Sequence, residues 1–357
     1  MTDTIAIVGS PTALGGHFAG MDRGPEALRQ GGLVDRLRSR PGLAGATFID
    51  HGDAPIESGW APDDDPVMKN RQRIIEYLPR LASHVGSAID RGLQSPFDGR
   101  DASGVISGGG DAAAAELDAP TRITSERGPA PASSSPRWSD PLATGAARLL
   151  VLGGDCTTHS GTMAALKRRS PGARFAIAWF DAHGDFNIPE TTPSGNVWGM
   201  PFAMLCGRGD PGLVAACDGP TVREEDAALL GAQVLDEQES RMLAASPIAL
   251  FGAGMLAGPA GLAALEGWAR VIGERCDGLY IAFDLDAIDG SEGVSVAMPE
   301  PDGLLVETAR AAIRILASTN RVVGFGPTAT MPRAELDLDR HVNIVADLTE
   351  AALGRAR

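Results

Sequence analysis

Seven short apolar runs, at residues 5–8, 47–49, 149–152, 175–180, 248–251, 279–283 and 322–325, alternate along this chain with segments of helical periodicity. A run that is apolar at nearly every position suits a strand covered on both faces, and such strands separated by helices pair in parallel. The pattern predicts an α/β fold of three αβα layers, with a mainly parallel sheet of about eight strands and helices on both faces. Helices are expected at 25–38, where Pro25 suits a first turn, and at 66–91, 259–275 and 303–317. With 357 residues, 43% of them apolar, the chain can fill one large core, and residues 1–357 are read as a single domain. A flexible insertion is expected at about 95–145. That stretch holds Gly108-Gly109-Gly110, Pro129, Pro131 and few large apolar side chains to offset the entropy of ordering.

Three of the runs end in metal-ligand types, where α/β folds collect their ligands. The run 149–152 leads into Gly153-Gly154-Asp155-Cys156, the run 175–180 into Asp181-Ala182-His183-Gly184-Asp185, and the run 279–283 into Asp284-Leu285-Asp286. In extended geometry alternate residues point to one side, so Asp181, His183 and Asp185 are expected to share one face, as are Asp284 and Asp286. Five carboxylate or imidazole groups and a thiol exceed what one catalytic ion needs, since such an ion keeps a position open. Two metals fit better.

These motifs, in this order, resemble those of the ureohydrolase superfamily of arginases, agmatinases and formiminoglutamases. The family carries Gly-Gly-Asp-His, Asp-Ala-His-x-Asp and Ser-x-Asp-x-Asp-x-x-Asp-Pro around two manganese ions. Here the middle motif is intact, the first ends in Cys156, and the third reads Ala282-Phe283-Asp284-Leu285-Asp286-Ala287-Ile288-Asp289-Gly290. Gly20-Met21-Asp22-Arg23-Gly24-Pro25 adds to the likeness. The resemblance implies an arginase-like fold and a metal shell of Cys156, Asp181, His183, Asp185, Asp284 and Asp286, with Asp181 and Asp284 bridging both ions. A metal-bridging hydroxide would be the nucleophile, with Asp185 and His183 as the catalytic residues and Asp185 relaying its proton. It also implies a homo-oligomer, trimeric or hexameric.

Cys156 stands where the family has histidine. As a thiolate at a helix start it would keep a ligand but shift preference from manganese toward iron, cobalt, nickel or zinc; as an unbound thiol it would leave one ion weak. His159, three residues on, is a substitute ligand or a histidine behind the shell or on the surface. Downstream, Asn187, Ser194 and Asn196 match the arginase positions that hold the substrate α-carboxylate. Asp226, in Val222-Arg223-Glu224-Glu225-Asp226, resembles the aspartate that recognises the α-amino group, or is a solvated acid of a charged helix start. Trp198 replaces a proton-shuttling histidine and cannot exchange protons. Ala329 replaces the glutamate that pairs a guanidinium, removing a charge-assisted partner.

A net charge of −15 argues against nucleic-acid partners and anionic membrane surfaces. No basic leader or long apolar stretch is evident, and four dispersed cysteines fit a reducing compartment, so a cytoplasmic location is expected. The expected function is hydrolysis of a non-peptide C–N bond in an amidine-, hydroxyguanidine- or formimino-type amino-acid derivative. The alternatives are an arginase or agmatinase proper, and a catalytically degenerate metal-binding scaffold.

Overall fold

A computed structural model describes residues 3–62, 65, 67–92, 147–333 and 338–355. The stretch expected as an insertion, about 95–145, lies outside the described residues. Eight strands form one sheet: β1 (Thr4–Ser10), β2 (Thr47–Asp53), β3 (Ala147–Gly153), β4 (Phe175–Phe180), β5 (Ala227–Gly231), β6 (Ala249–Gly252), β7 (Gly278–Asp284) and β8 (Val322–Thr328). Their order is β2-β1-β3-β8-β7-β4-β5-β6, and every pairing is parallel. Seven of these strands grow from the seven apolar runs. The eighth, β5, reads Ala-Ala-Leu-Leu-Gly, too short and too alanine-rich to stand out from the sequence.

The described α-helices are α1 (Gly24–Gln30), α2 (Leu33–Ser39), α3 (Arg71–Gly92), α4 (Thr157–Arg169), α5 (Pro201–Leu205), α6 (Pro211–Ala216), α7 (Glu237–Ala244), α8 (Ala253–Leu256), α9 (Pro259–Arg275), α10 (Val306–Thr319) and α11 (Leu338–Leu353), with short 3-10 turns between elements. The helix expected over 25–38 is two, because Gly32 takes φ +78°, which breaks the α-helix between them. The helix expected from residue 66 starts at Arg71.

Alternation along β4 sorts the core. Ala176, Ala178 and Phe180 pack with Leu28, Leu37, Leu265, Ile313 and Val345 of α1, α2, α9, α10 and α11. Phe175, Ile177 and Trp179 pack on the other face with Leu81, Met163, Phe202 and Leu243 of α3, α4, α5 and α7. Both faces are therefore covered, which is why the strands read as apolar throughout. Among the described residues no helix is long and apolar enough to cross a membrane.

Candidate metal centre and substrate cavity

Parallel strands bring the carboxyl ends of β3, β4, β7 and β8 side by side, and the three motifs leave the sheet there. A cavity of about 310 Å³ opens over them. Its floor holds Cys156, Asp181, His183, Asp185, Asp284 and Asp286.

The side chains converge by a different route from strand alternation. β4 ends at Phe180, so Asp181, His183 and Asp185 lie on a loop, and Asp185 sits at φ +48°. Its carbonyl receives the N–H groups of Phe202 and Ala203 at the start of α5, which holds that unusual backbone. Asp284 is the last residue of β7, whereas Asp286 lies on a 3-10 turn whose Asp286 N–H donates to Asp284 Oδ1 at 2.8 Å. Loop turns, each closed by an aspartate accepting a nearby backbone N–H, replace the pleat.

Ligand atoms of Cys156, Asp181 and Asp284 lie close enough together to hold one ion, and those of Asp181, His183 and Asp286 to hold another. Asp181 belongs to both sets, which is the arrangement two bridged cations need. His183 Nδ1 stands 3.3 Å from Asp181 Oδ1 and 3.2 Å from Asp286 Oδ2, while its Nε2 is 3.7 Å from Glu300 Oε1. Trp179 Nε1 donates to Asp181 Oδ2 at 3.0 Å and orients it.

The electrostatics call for cations. Burial and the neighbouring carboxylates push Asp185, Asp284 and Asp286 up from the ordinary range. Four acids packed together cannot all ionise unless positive charge joins them. Asp185 Oδ2 is buried with no hydrogen-bond partner among the described residues, an orphan acceptor that a cation or its water would satisfy. The donor set, mostly oxygen with one imidazole and one thiol, fits two divalent ions.

Cys156 precedes α4, and in the absence of a cation burial, then the charges of Asp284, Asp185 and Asp181, raise its thiol well above the usual value. Without a cation it is a thiol donating to Asp284 Oδ2 at 2.8 Å, because desolvation outweighs the helix dipole. His159 is neither a surface residue nor in either ligand group. It is fully buried behind Cys156, with Nδ1 3.1 Å from the Tyr280 hydroxyl and Nε2 3.4 Å from Thr328 Oγ1, which in turn lies 3.6 Å from Cys156 Sγ.

Above the floor, Asn187, Ser194, Asn196, Trp198 and Ala329 all line the cavity. Asn187 donates through Nδ2 to Asp236 Oδ2 at 2.9 Å and accepts from Thr191 Oγ1 at 2.8 Å. Lys69 Nζ reaches Asn196 Oδ1 and the Ser194 carbonyl, both at 2.9 Å, so the Asn196 amino group turns to His17 Nδ1, also 2.9 Å away. Trp198 packs on the chain at Gly15-Gly16, where a Cβ on Gly16 would come 2.0 Å from the indole.

Asp226 is not there. It lies at the opposite, amino end of β5, fully buried between the guanidinium groups of Arg174 and Arg275, each with Nε 2.6 Å from a carboxylate oxygen. Five residues of strand, roughly 16 Å at ~3.3 Å each, separate that end from the cavity. The acids that do line the cavity from this part of the chain are Asp236 and Glu239, just past β5. Glu239 accepts from Phe186 N at 2.9 Å, and burial above all pushes its carboxyl up to about 7. Sequence reasoning missed them because it missed β5. The available signal was the capping box Asp236-x-x-Glu239, which the structure forms in full.

A family model described as Arginase family matches residues 3–352. The arginase of Bacillus caldovelox is 28% identical over 316 residues, covering 88% of this chain and 86% of its own. A crystal structure of arginase from that organism superposes with a TM-score of 0.75 at 24% identity, covering 100% and 99% of the two chains. The formimidoylglutamase of Bacillus subtilis superposes at 0.66 with 15% identity, covering 98% of this chain and 86% of that one. With the family model spanning nearly the whole chain, over a parallel sheet whose strand ends carry the acid-rich cavity, this protein belongs to the arginase family of the ureohydrolase superfamily, hydrolases of amidine C–N bonds.

Proposed function

We propose that this protein hydrolyses a C–N bond in an amidine-type derivative of an α-amino acid whose reacting end is not a plain guanidinium. Hydroxyguanidino and formimino groups are the leading cases. The observation that carries this reading is the pairing of a complete acid floor with Ala329 on the cavity wall. Every metal-type aspartate is retained, whereas the place of a guanidinium-pairing acid holds a methyl group.

Cys156, Asp181 and Asp284 would hold one divalent cation and Asp181, His183 and Asp286 the other, with Asp185 completing the shells. Manganese suits the oxygen donors, and Cys156 widens the choice to iron, cobalt, nickel or zinc. When bound, the pair supplies Lewis-acid activation of water and of the amidine. The residues do the rest. Asp185 Oδ2, without another partner, takes the proton of the attacking water and returns it to the departing nitrogen. Glu300, 3.7 Å from His183 Nε2, stands on the side of the ring away from the carboxylates that would share its ion. Ser194 and the remaining amide N–H groups of Asn187 and Asn196 hold the α-carboxylate, and Asp236 recognises the α-amino group in place of Asp226.

The test is a manganese-loaded enzyme assayed on Nω-hydroxy-L-arginine, N-formimino-L-glutamate, L-arginine and agmatine. The hydroxyguanidino or formimino compound should be turned over faster than arginine, and agmatine, lacking the carboxylate, should be poor. A kcat/KM for L-arginine of ~10⁴ M⁻¹s⁻¹ or above, in the usual enzyme range, would overturn the reading and make the protein an arginase proper.

A further inference from the structure

We infer that the cavity carries, beside its acid floor, a built apolar recess that receives an alkyl substituent on the reacting amidine end. The substrate class is then an N-alkyl guanidino or C-alkyl amidino derivative of an α-amino acid. This rests on the amidine hydrolysis proposed above and, within that class, replaces its leading hydroxyguanidino and formimino ends by alkyl-bearing ones.

The recess is a small core of its own. Ala13, Met21 and Ala329 are buried together, and Phe18, Trp198 and Met331 pack against them. Met21, Trp198 and Ala329 also face the cavity that Asp181, His183 and Asp185 line, so apolar wall and acid floor share one space.

The wall is held in place. Trp198 N–H donates to the Gly15 carbonyl at 2.9 Å, and only glycine at position 16 leaves room for the indole. Phe18 stacks on Trp198 with ring centroids 5.8 Å apart and planes 26° from parallel. Ala329 sits at φ +63°, with its N–H donating to the Gly154 carbonyl at 2.7 Å, so the backbone fixes where its methyl points. The side chains of this wall offer a terminal NH₂ no oxygen acceptor. A methyl group loses nothing and gains contact, and the indole face attracts a delocalised cation that carries methyl groups.

The chemistry balances. Water oxygen adds to the amidine carbon, the bond from that carbon to the side-chain nitrogen breaks, and that nitrogen leaves protonated as an ω-amine. The other product is an N-alkylurea from a guanidine or a carboxamide from a C-alkyl amidine.

Nω,Nω-dimethyl-L-arginine, Nδ-acetimidoyl-L-ornithine and L-arginine all release ornithine, so one assay of the manganese-loaded full chain compares them. Either alkylated compound should exceed arginine at least tenfold in kcat/KM, and which is faster shows whether the recess serves the terminal nitrogen or the carbon. Ala329→Glu should reverse the order; should it fail to fold, Met21→Gln should shrink the preference at least threefold. Equal or better turnover of arginine by the wild type would overturn the inference. If none is hydrolysed, the proposed function is judged separately on the hydroxyguanidino and formimino compounds, and calorimetric binding of these three decides the recess: tighter binding of the alkylated pair sustains it, and equal binding overturns it.

Discussion

Replacing Glu239 by glutamine should change the sign of its effect on stability between acid and neutral pH. The carboxyl is 3% exposed and accepts the backbone N–H groups of Phe186 at 2.9 Å and Asp236 at 3.3 Å. Burial, with repulsion from Asp236 and Asp181, raises it from 4.5 to about 7. The folded state therefore holds this proton more tightly than the unfolded chain. Its contribution is fully present below about pH 4.5 and is lost as the pH climbs to about 7. That shift, at ~1.36 kcal/mol per pH unit, amounts to about 3 kcal/mol. Glutamine does not titrate and keeps only one of the two acceptors, which costs about 1 kcal/mol. In the presence of a chelator, Glu239→Gln should thus be about 1 kcal/mol less stable than wild type at pH 4.5 and about 2 kcal/mol more stable at pH 7.5. The neutral buried imidazoles of His159 and His341 pull the other way over the acid range, but they cancel in the difference between the two proteins. Urea unfolding followed by tryptophan fluorescence reads that difference, with Trp179 next to Asp181 as a reporter. Manganese should flatten it, since added cations favour the ionised carboxylates. A difference that stays constant from pH 4.5 to 7.5 without metal would refute the reasoning.

Further outcomes follow from the same geometry. Cys156→Ala should lose about one bound ion per chain by elemental analysis, Cys156→His should keep both, and only the wild type should show a thiolate-to-metal charge-transfer band when loaded with cobalt; full metal content in Cys156→Ala would remove the thiol from the shell. The double change Trp198→His with Ala329→Glu should raise arginine hydrolysis about tenfold or more, the return of ~1.4 kcal/mol of transition-state stabilisation, and an unchanged rate would mean that other residues limit it. His159 is buried and neutral, its imidazole lowered from 6.5 to about 3, so its stability contribution is present above about pH 6.5 and is lost as the pH falls toward 3. His159→Gln should remove ~4–5 kcal/mol of that acid sensitivity in urea unfolding between pH 6.5 and pH 3. An unaltered acid profile would mean that the ring is not held neutral.

The sequence by itself determined the sheet and the acids. Strands buried on both faces must be apolar at every position, so β1, β4, β7 and β8 announced themselves, and their carboxyl ends located Asp181, His183, Asp185, Asp284 and Asp286. The tertiary structure decided whatever depends on distance between segments far apart in the chain. Alternation along a strand was the wrong reason for the ligands to meet, because backbone turns fixed by local hydrogen bonds do the work after the strands have ended. Asp226 and Asp236 are both acids near one short strand, and only the placement of β5 tells that one is walled in by two arginines while the other faces the cavity. The thiol of Cys156 follows the same logic: a helix start favours a thiolate, and without a cation burial among three carboxylates opposes it. Periodicity reports which face of an element is buried, but it carries no information about which buried charges become neighbours.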